Sequence, residues 1–337
     1  MEQIKIIAVD TGNRLIKTAH APAFSAGLVS HGDTPPLVAT DTLIYEGKYY
    51  SFSESQGYHR RDKTADEYYF ILTLAAIARE IVIKNSALSS DCDEAVFRRI
   101  MQRGGREKWK YNERIVLSVG LPPRDMKMQS GKFKEYFLQK GKTLTYTYNG
   151  MEFTVTIEEV LVSPQGFAAI FPNDVFLQVS QSIQSYIIDI GGYTTDIALV
   201  VNKKIDTNFF ESLDFGVIHM MNEISRQVEK ECQKSISGPI IEAILKGQRV
   251  GDEQVEDIVI NASRAYAKKI IDALKDHGID LALSVPVLCG GGALLMKEAL
   301  MKEIGRDKTI ILGDIRANAI GYEVLAKRIM REREREH

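Results

Sequence analysis

The chain of 337 residues is short of cysteine, tryptophan and proline, with three, one and nine of them. Cys92, Cys232 and Cys289 stand in no pairing or metal-ligand spacing, which excludes a disulfide scaffold and predicts incidental or buried thiols in a reducing cytoplasm. No apolar run approaches the roughly 20 residues of a membrane span. The opening Met1-Glu2-Gln3-Ile4-Lys5 has no basic segment ahead of an apolar one, so no signal peptide is expected. A net charge of −2 gives no general basic field, so neither nucleic acid nor membrane is expected as a direct partner. His20, His31, His59, His219, His277 and His337 show no metal spacing. There is no Gly-x-x-x-x-Gly-Lys-Ser/Thr loop and no Gly-x-Ser-x-Gly elbow, which excludes P-loop chemistry and the hydrolase nucleophile turn.

What remains is ordinary globular composition, 45% apolar and 26% charged, at a length that suits about two domains of ~150 residues. One short phrase occurs twice. Ile6-Ile7-Ala8-Val9-Asp10-Thr11-Gly12-Asn13 and Tyr186-Ile187-Ile188-Asp189-Ile190-Gly191-Gly192-Tyr193 each run from an apolar strand into Asp-x-Gly, and a second apolar run follows. Each reads as a β-hairpin whose turn carries a carboxylate.

The segments between them alternate strands and helices. A hairpin turns at Glu46-Gly47, and Arg60-Arg61-Asp62-Lys63 reads as a charged surface loop. Asp66 is expected to cap a helix over 67–84 with Tyr69, Leu72, Ala76 and Ile77 on one stripe. Residues 86–112 read as a polar, partly helical surface insertion, followed by a buried strand at 114–120 and a helix near 128–139. Asn149-Gly150 between alternating runs is a strong hairpin signal. The stretch Ser163-Pro164-Gln165-Gly166-Phe167 is expected to open a short apolar helix. In the second half, strands at 185–190, 197–201 and 204–210 precede helices near 216–231, 238–246 and 252–276. The strand 285–289 then runs into Gly290-Gly291-Gly292, and a last helix covers 314–332. Mixed hairpins, buried strands and helices in both halves give the class α/β in two lobes.

Three stretches carry chemistry, each beside a plainer structural alternative. In the first, Gly12 would supply a positive φ that gathers N–H groups into an anion nest, Asp10 would hold Mg²⁺ through water, and Lys17 would fold back onto phosphate. A common hairpin turn accounts for the same residues. In the second, two glycines, Thr194, Thr195 and flanking aspartates exceed what a hairpin needs; their N–H groups and hydroxyls suit phosphates, and Asp189 suits a metal or an attacking water. In the third, Gly290, Gly291 and Gly292 would let a flat ligand lie on the backbone at a helix start, although tight strand-to-helix turns also use glycine. Gln165 could orient a water without being a strong base.

The order of these motifs resembles the actin–Hsp70–sugar kinase superfamily, and within it the bacterial actin-like ATPases of the ParM (StbA) plasmid-segregation type. The likeness spans nearly the whole chain. Val119-Gly120-Leu121-Pro122, Asp62-Lys63 and Ala317-Asn318-Ala319-Ile320-Gly321-Tyr322 are more similar to ParM relatives than to eukaryotic actin. The resemblance implies a two-lobed actin-like ATPase fold of duplicated ribonuclease H-like domains with a nucleotide cleft between lobes. Lobe I would span 1–170, with a hairpin subdomain at about 30–65. Lobe II would span 171–337, with a helical subdomain at about 210–280.

It further implies ATP, or GTP, with Mg²⁺. Catalytic roles fall on Asp10, Gln165 and Asp189, and the metal's water shell on Asp10 and Asp189. Phosphate contacts fall on Thr11, Gly12, Asn13 and Lys17 and on Gly191, Gly192, Tyr193, Thr194 and Thr195. Gly290, Gly291 and Gly292 would lie by the adenosine, and Asp214 and Gly216 near the ribose or base. Gln165 stands where many ParM-type proteins carry glutamate. Elements near 165–171 and 317–329 would form the hinge.

The expected activity is a cytoplasmic, filament-forming ATPase. ATP would drive head-to-tail assembly of the chain with itself, hydrolysis would weaken the filament, and plasmid or other DNA would be moved through a DNA-binding adaptor. A small-molecule kinase of the sugar or acetate type and a non-polymerising ATPase scaffold remain as alternatives. The shortness of the chain and the absence of large substrate-binding insertions favour the filament.

Overall fold

The computed structural model describes residues 4–37, 41–53, 62–86, 93–107, 109–172, 175–305, 307 and 309–336. Arg60, Arg61 and Cys92 lie outside the described residues. The chain divides into two compact units, one of residues 1–172 with 316–337 and the other of residues 173–315.

Unit 1 is built on a nine-stranded sheet. Its strands are β1 (Lys5–Thr11), β2 (Leu15–Thr18), β3 (Phe24–Ser25), β4 (Gly27–Ser30), β5 (Thr42–Tyr45), β6 (Lys48–Ser53), β7 (Lys110–Leu121), β8 (Thr143–Tyr148) and β9 (Met151–Pro164). They lie in the order β3-β2-β1-β7-β9-β8-β5-β6-β4. β1, β7 and β9 are parallel neighbours. Parallel strands buried on both faces need apolar residues in both phases of the pleat, and these strands have them. Ile7, Val9, Ile115, Leu117 and Val119 join one core, while Ala8, Val116 and Leu161 join two smaller clusters with Tyr322 and Ala326 of the terminal helix (Ala317–Glu336).

The first core is filled by helix α1 (Tyr68–Asn85), in which every residue from Tyr69 to Ile83 is buried. The helix is therefore enclosed all round rather than along one stripe. Its formal cap is Glu67, without a side-chain bond; the Asp66 carboxylate accepts the Tyr68 amide instead. The stretch expected as a surface insertion contains α2 (Glu94–Glu107) and the first residues of β7. α2 is pinned by a buried arginine. The Arg79 guanidinium lies 4.1 Å from the Phe97 ring centroid and 5.1 Å from that of Phe24, and donates to Glu94 at 3.0 Å and Tyr148 at 3.2 Å. A third helix, α3 (Met126–Leu138), packs on β9.

Both expected hairpins close in left-handed turns, at Glu46-Gly47 and Asn149-Gly150. The first hairpin is not a separate sheet: β5 pairs with β8, so it continues the nine-stranded sheet.

The terminal helix is a correction to the expected lobes, because it belongs to unit 1. Its seat explains two glycines. A Cβ on Gly120 would lie 1.8 Å from the Tyr322 hydroxyl oxygen, and one on Gly321 would lie 2.0 Å from the Ala168 carbonyl oxygen. Asn318 Oδ1 accepts the Gly166 amide at 2.8 Å, and the Ser118 hydroxyl donates to the Tyr322 carbonyl at 3.1 Å.

Unit 2 repeats the first five positions of that sheet. Its strands are β10 (Gln184–Ile190), β11 (Thr195–Val201), β12 (Lys204–Leu213), β13 (Val285–Cys289) and β14 (Ile310–Ile311), in the order β12-β11-β10-β13-β14. The pairing senses match as well: two antiparallel hairpin steps on one side of the central strand, two parallel steps on the other. Helices α4 (Val175–Gln181), α5 (Val217–Cys232), α6 (Gly238–Leu245), α7 (Glu253–Asp276), α8 (Gly290–Leu295) and α9 (Lys297–Ile304) complete the unit. Tyr186, Ile188 and Ile190 of β10 share one core with α5, α6 and α7. Asp252 caps α7 by accepting the Val255 amide at 3.2 Å.

Gly321 faces backbone, which cannot move aside cheaply, whereas Gly131 in α3 has nothing within 4 Å of a new Cβ. Gly321→Ala is expected to lower stability by about 2–3 kcal/mol. Gly131→Ala is expected to raise it by up to about 1 kcal/mol through helix propensity. Urea unfolding of both variants checks the pair.

Candidate phosphate-binding loops

In both units the last residue but one of the central strand is an aspartate, and a glycine loop leads to the antiparallel neighbour. The register sets Asp10 opposite Lys17 and Asp189 opposite Asp196.

The loop of unit 1 gathers distant residues. Asp10 is buried, 2% exposed, and a buried carboxylate needs compensation. Lys17 Nζ lies 2.6 Å from one of its oxygens and Gln165 Nε2 donates to the other at 3.2 Å. Three expected site residues thus meet, one of them 155 positions away in sequence. Gln165 does not open a helix. It sits in a turn after β9, its amide donating to the Leu121 carbonyl at 2.8 Å, and a 3₁₀ segment follows over Phe167–Ile170. Gly166, at φ +74°, makes that turn. Gly12 is a further correction: it is absent from the positive-φ residues, and its need for hydrogen comes from crowding, since a Cβ would sit 2.6 Å from the Leu15 carbonyl oxygen.

The loop of unit 2 is organised by its own backbone. The Gly191 amide donates to the Thr194 carbonyl at 2.8 Å, and the Gly191 and Gly192 carbonyls accept the Val217 and Ile218 amides at 3.1 and 2.8 Å. The loop therefore caps the start of α5. Gly216 makes this possible, because any Cβ there would lie 2.5 Å from the Gly192 carbonyl oxygen. The Tyr266 hydroxyl, pushed up to about 12 by burial, donates to the Gly216 carbonyl and accepts its amide. Thr195 is fully buried and donates to the Phe215 carbonyl at 2.6 Å, so its hydroxyl serves the fold. Thr194 donates to Asp196 at 3.2 Å, and the Tyr193 ring meets His219 edge-on. Asp214 is exposed.

Asp189 is buried beside the triple glycine. A Cβ on Gly290, which has φ +88°, would lie 2.4 Å from Asp189 Oδ1, and one on Gly292 would lie 2.3 Å from Ile190 Cγ2. Only Gly291 has open space around a new Cβ. Two of the three glycines thus answer to packing within the unit.

Residues 187–302 match the model of a family described as the archaeal actin homologue MreB-like, C-terminal. Among curated proteins none matches the sequence. An archaeal actin homologue in complex with ADP is similar over 96% of this chain and 100% of its own, at 17% identity and a TM-score of 0.69. A ParM of a 15-stranded filament from Clostridium botulinum is similar over 97% of this chain and 100% of its own, at 17% identity and 0.69. The apo psk41 ParM protein is similar over 98% and 99%, at 14% identity and 0.63. The chain has the actin-like fold.

Within this actin-like fold the structure gives loop contacts to residues to which the sequence assigned no role at the site. Lys63 and Tyr69 hold the loop of unit 1, and Tyr266 holds that of unit 2. A cluster of His20, Glu80 and Glu323 also forms: His20 Nδ1 faces Glu80, and its Nε2 lies 3.6 Å from Glu323. Glu80 follows His20 by 60 positions and Glu323 follows Glu80 by 243, so no local spacing announces the cluster. Three such groups can surround a metal ion, but Lys84 already lies 2.5 Å from Glu323 and 3.7 Å from Glu80, and Lys327 lies 2.8 Å from Glu323. We read an ion-pair network joining α1 to the terminal helix.

Burial raises both carboxyls of this network. The hydrogen bond to His20 for Glu80, and the Lys84 charge for Glu323, outweigh it and hold both below the ordinary range. A lowered folded value means stability that is present above the unfolded value of about 4.3 and is lost as pH falls below it. Wild-type thermal midpoints should therefore drop from about pH 5 to about pH 3. In Glu323→Gln the drop should be shallower and start from a lower midpoint, as differential scanning fluorimetry across that range would check.

No helix among the described residues is long and apolar enough to cross a membrane.

Proposed function

We propose that this chain is a nucleotide-dependent, filament-forming ATPase that binds ATP with Mg²⁺ through its two Asp-Gly loops. The observation that carries the reading is the meeting of Asp10, Lys17 and Gln165. A buried carboxylate, an ammonium and a fixed amide at a glycine loop are the donor set that phosphate, a hard cation and a lytic water require. Asp10 and Asp189 offer oxygen ligands suited to the water shell of Mg²⁺, which when bound would neutralise phosphate charge. Lys17 would place an ammonium against phosphate. Gln165 donates from Nε2 to Asp10, which leaves Oε1 as the acceptor for a water proton; an amide orients that water but cannot deprotonate it. Asp189, fixed beside Gly290 in unit 2, offers its carboxylate to a metal's water shell or to a water.

Self-association is supported by the filament-forming character of a similar ParM. It is supported too by a groove of about 680 Å³ in unit 2, lined by Gln178, Ile183, Leu283, Asp307 and Ile310. Ile183 and Leu283, which line it, are 82% and 83% exposed. Clustered exposed apolar side chains mark contact surfaces, and the occupant we assign is a second copy of this chain. A contact between unlike surfaces does not close, so it extends into a filament. The ParM likeness further supports movement of DNA through an adaptor, and the net charge of −2 favours an adaptor over direct binding.

Sedimentation with ATP–Mg²⁺, ADP and GTP tests the assembly: a pellet that forms with triphosphate and dissolves with diphosphate is expected. Its absence at every concentration would overturn the filament reading. Asp189→Ala should abolish phosphate release with the fold intact, and wild-type release would show the site to be misplaced. Leu283→Asp should prevent pelleting while leaving nucleotide affinity within about twofold of wild type.

A further inference from the structure

The loop of unit 1 is held from outside itself by the segment ahead of α1. Lys63 Nζ donates to the Thr11 carbonyl at 2.5 Å and lies 3.4 Å from the Thr11 hydroxyl oxygen. The same ammonium lies 5.3 Å from the centroid of the Tyr69 ring. Tyr69 in turn donates its hydroxyl to Asn13 Oδ1 at 2.5 Å. Two side chains that follow the loop by about fifty residues thus grip both neighbours of Gly12.

A peptide unit is planar and trans, so its carbonyl and its N–H point in opposite directions. The N–H that shares a plane with the Thr11 carbonyl is that of Gly12. Holding the carbonyl on Lys63 therefore sets where the Gly12 N–H points. Gly12, crowded by the Leu15 carbonyl, cannot set it through a side chain of its own.

Lys63 is itself braced. The Asp62 carboxylate accepts the Thr64 amide at 2.9 Å and the Thr64 hydroxyl at 2.7 Å, and takes an ion pair from Lys132 of α3 at 2.7 Å. The Lys132 and Thr64 bonds hold the Asp62 carboxyl down at about 2, so the brace persists through the physiological range. The segment is a support with a charged tip rather than a loose surface loop.

We propose that Lys63 is a second lysine of the phosphate loop, a positioning residue that aims the Gly12 N–H and brings an ammonium to the phosphate chain of a bound nucleotide. The assignment rests on the nucleotide reading given above. Lys17 is engaged by Asp10 from within the hairpin, whereas Lys63 reaches the Thr11 carbonyl from a separate segment. Its contribution is both to the backbone and to the charge that meets phosphate.

The test is calorimetric titration of the full chain with ADP–Mg²⁺. Lys63→Ala should raise the dissociation constant about tenfold, as expected for one charge-assisted bond. Lys63→Arg, which keeps a cation able to donate to a carbonyl, should return it to within about threefold of wild type. If Lys63→Ala does not fold, Lys63→Met keeps an unbranched aliphatic side chain without the ammonium and should show the same loss. Unchanged affinity in Lys63→Ala or Lys63→Met overturns the proposal. So does equal weakening in the Ala and Arg variants, which would mean a steric role. Absence of ADP binding by the wild type would instead overturn the nucleotide reading on which it rests.

Discussion

The constraint on which unit 1 turns is the burial of one carboxylate. Asp10 stands at the end of a strand enclosed on both faces, where an uncompensated charge would cost several kcal/mol. Its two oxygens are met from two directions. Lys17 comes from the partner strand of the same hairpin, and Gln165 comes from a turn that can reach it only because β9 runs parallel in the same sheet. That turn is then held by Asn318 of the terminal helix. The carboxylate, the sheet order and the position of the last helix are consequences of one another. A substitution that freed Asp10 from either partner would disturb packing as well as chemistry.

Much of this could be read from residues alone. The paired Asp-x-Gly phrases, the strands that precede them and the Asn149-Gly150 turn announce themselves through period and turn chemistry. Their half-chain separation matches a repeat that the sheets confirm, in strand order and in pairing sense. The motifs Val119-Gly120 and Asn318 to Tyr322, taken at first only as marks of a resemblance, prove to be one packing contact seen from its two sides. Gly120 is bare because Tyr322 lies on it, and Gly321 is bare because Ala168 does.

What escaped the sequence reading has a common physical origin. A glycine can be required by its torsion or by a neighbour's approach, and a sequence shows only that it is glycine. Gly12 suggested a left-handed turn and is in fact crowded; Gly290 and Gly292 suggested room for a ligand and are crowded as well. Side chains that act on a loop from a distant element leave no local pattern either. Lys63 lay in a run of charges that looked solvated, and Tyr69 looked like one more core aromatic of α1. The assignment of the terminal helix to the second lobe failed for a related reason: chain order does not record a return to the first sheet.

The two loops also differ in what maintains them. In unit 2 the turn is satisfied by peptide groups, its carbonyls taking the first amides of α5 and its glycine amide closing on Thr194. Peptide partners are present whatever the side chains, so that loop depends chiefly on the smallness of Gly216 and on the Tyr266 hydroxyl behind it. In unit 1 the turn is satisfied by side chains: Lys17 and Gln165 on Asp10, Lys63 on Thr11, Tyr69 on Asn13. Side-chain partners can exchange when a charged ligand arrives, because an ammonium that serves a carboxylate or a carbonyl can serve a phosphate oxygen equally well. The same repeated topology therefore presents one loop that is fixed by its backbone and one that is adjustable through its side chains. The adjustable loop is the one whose contacts an arriving anion would have the most freedom to rearrange.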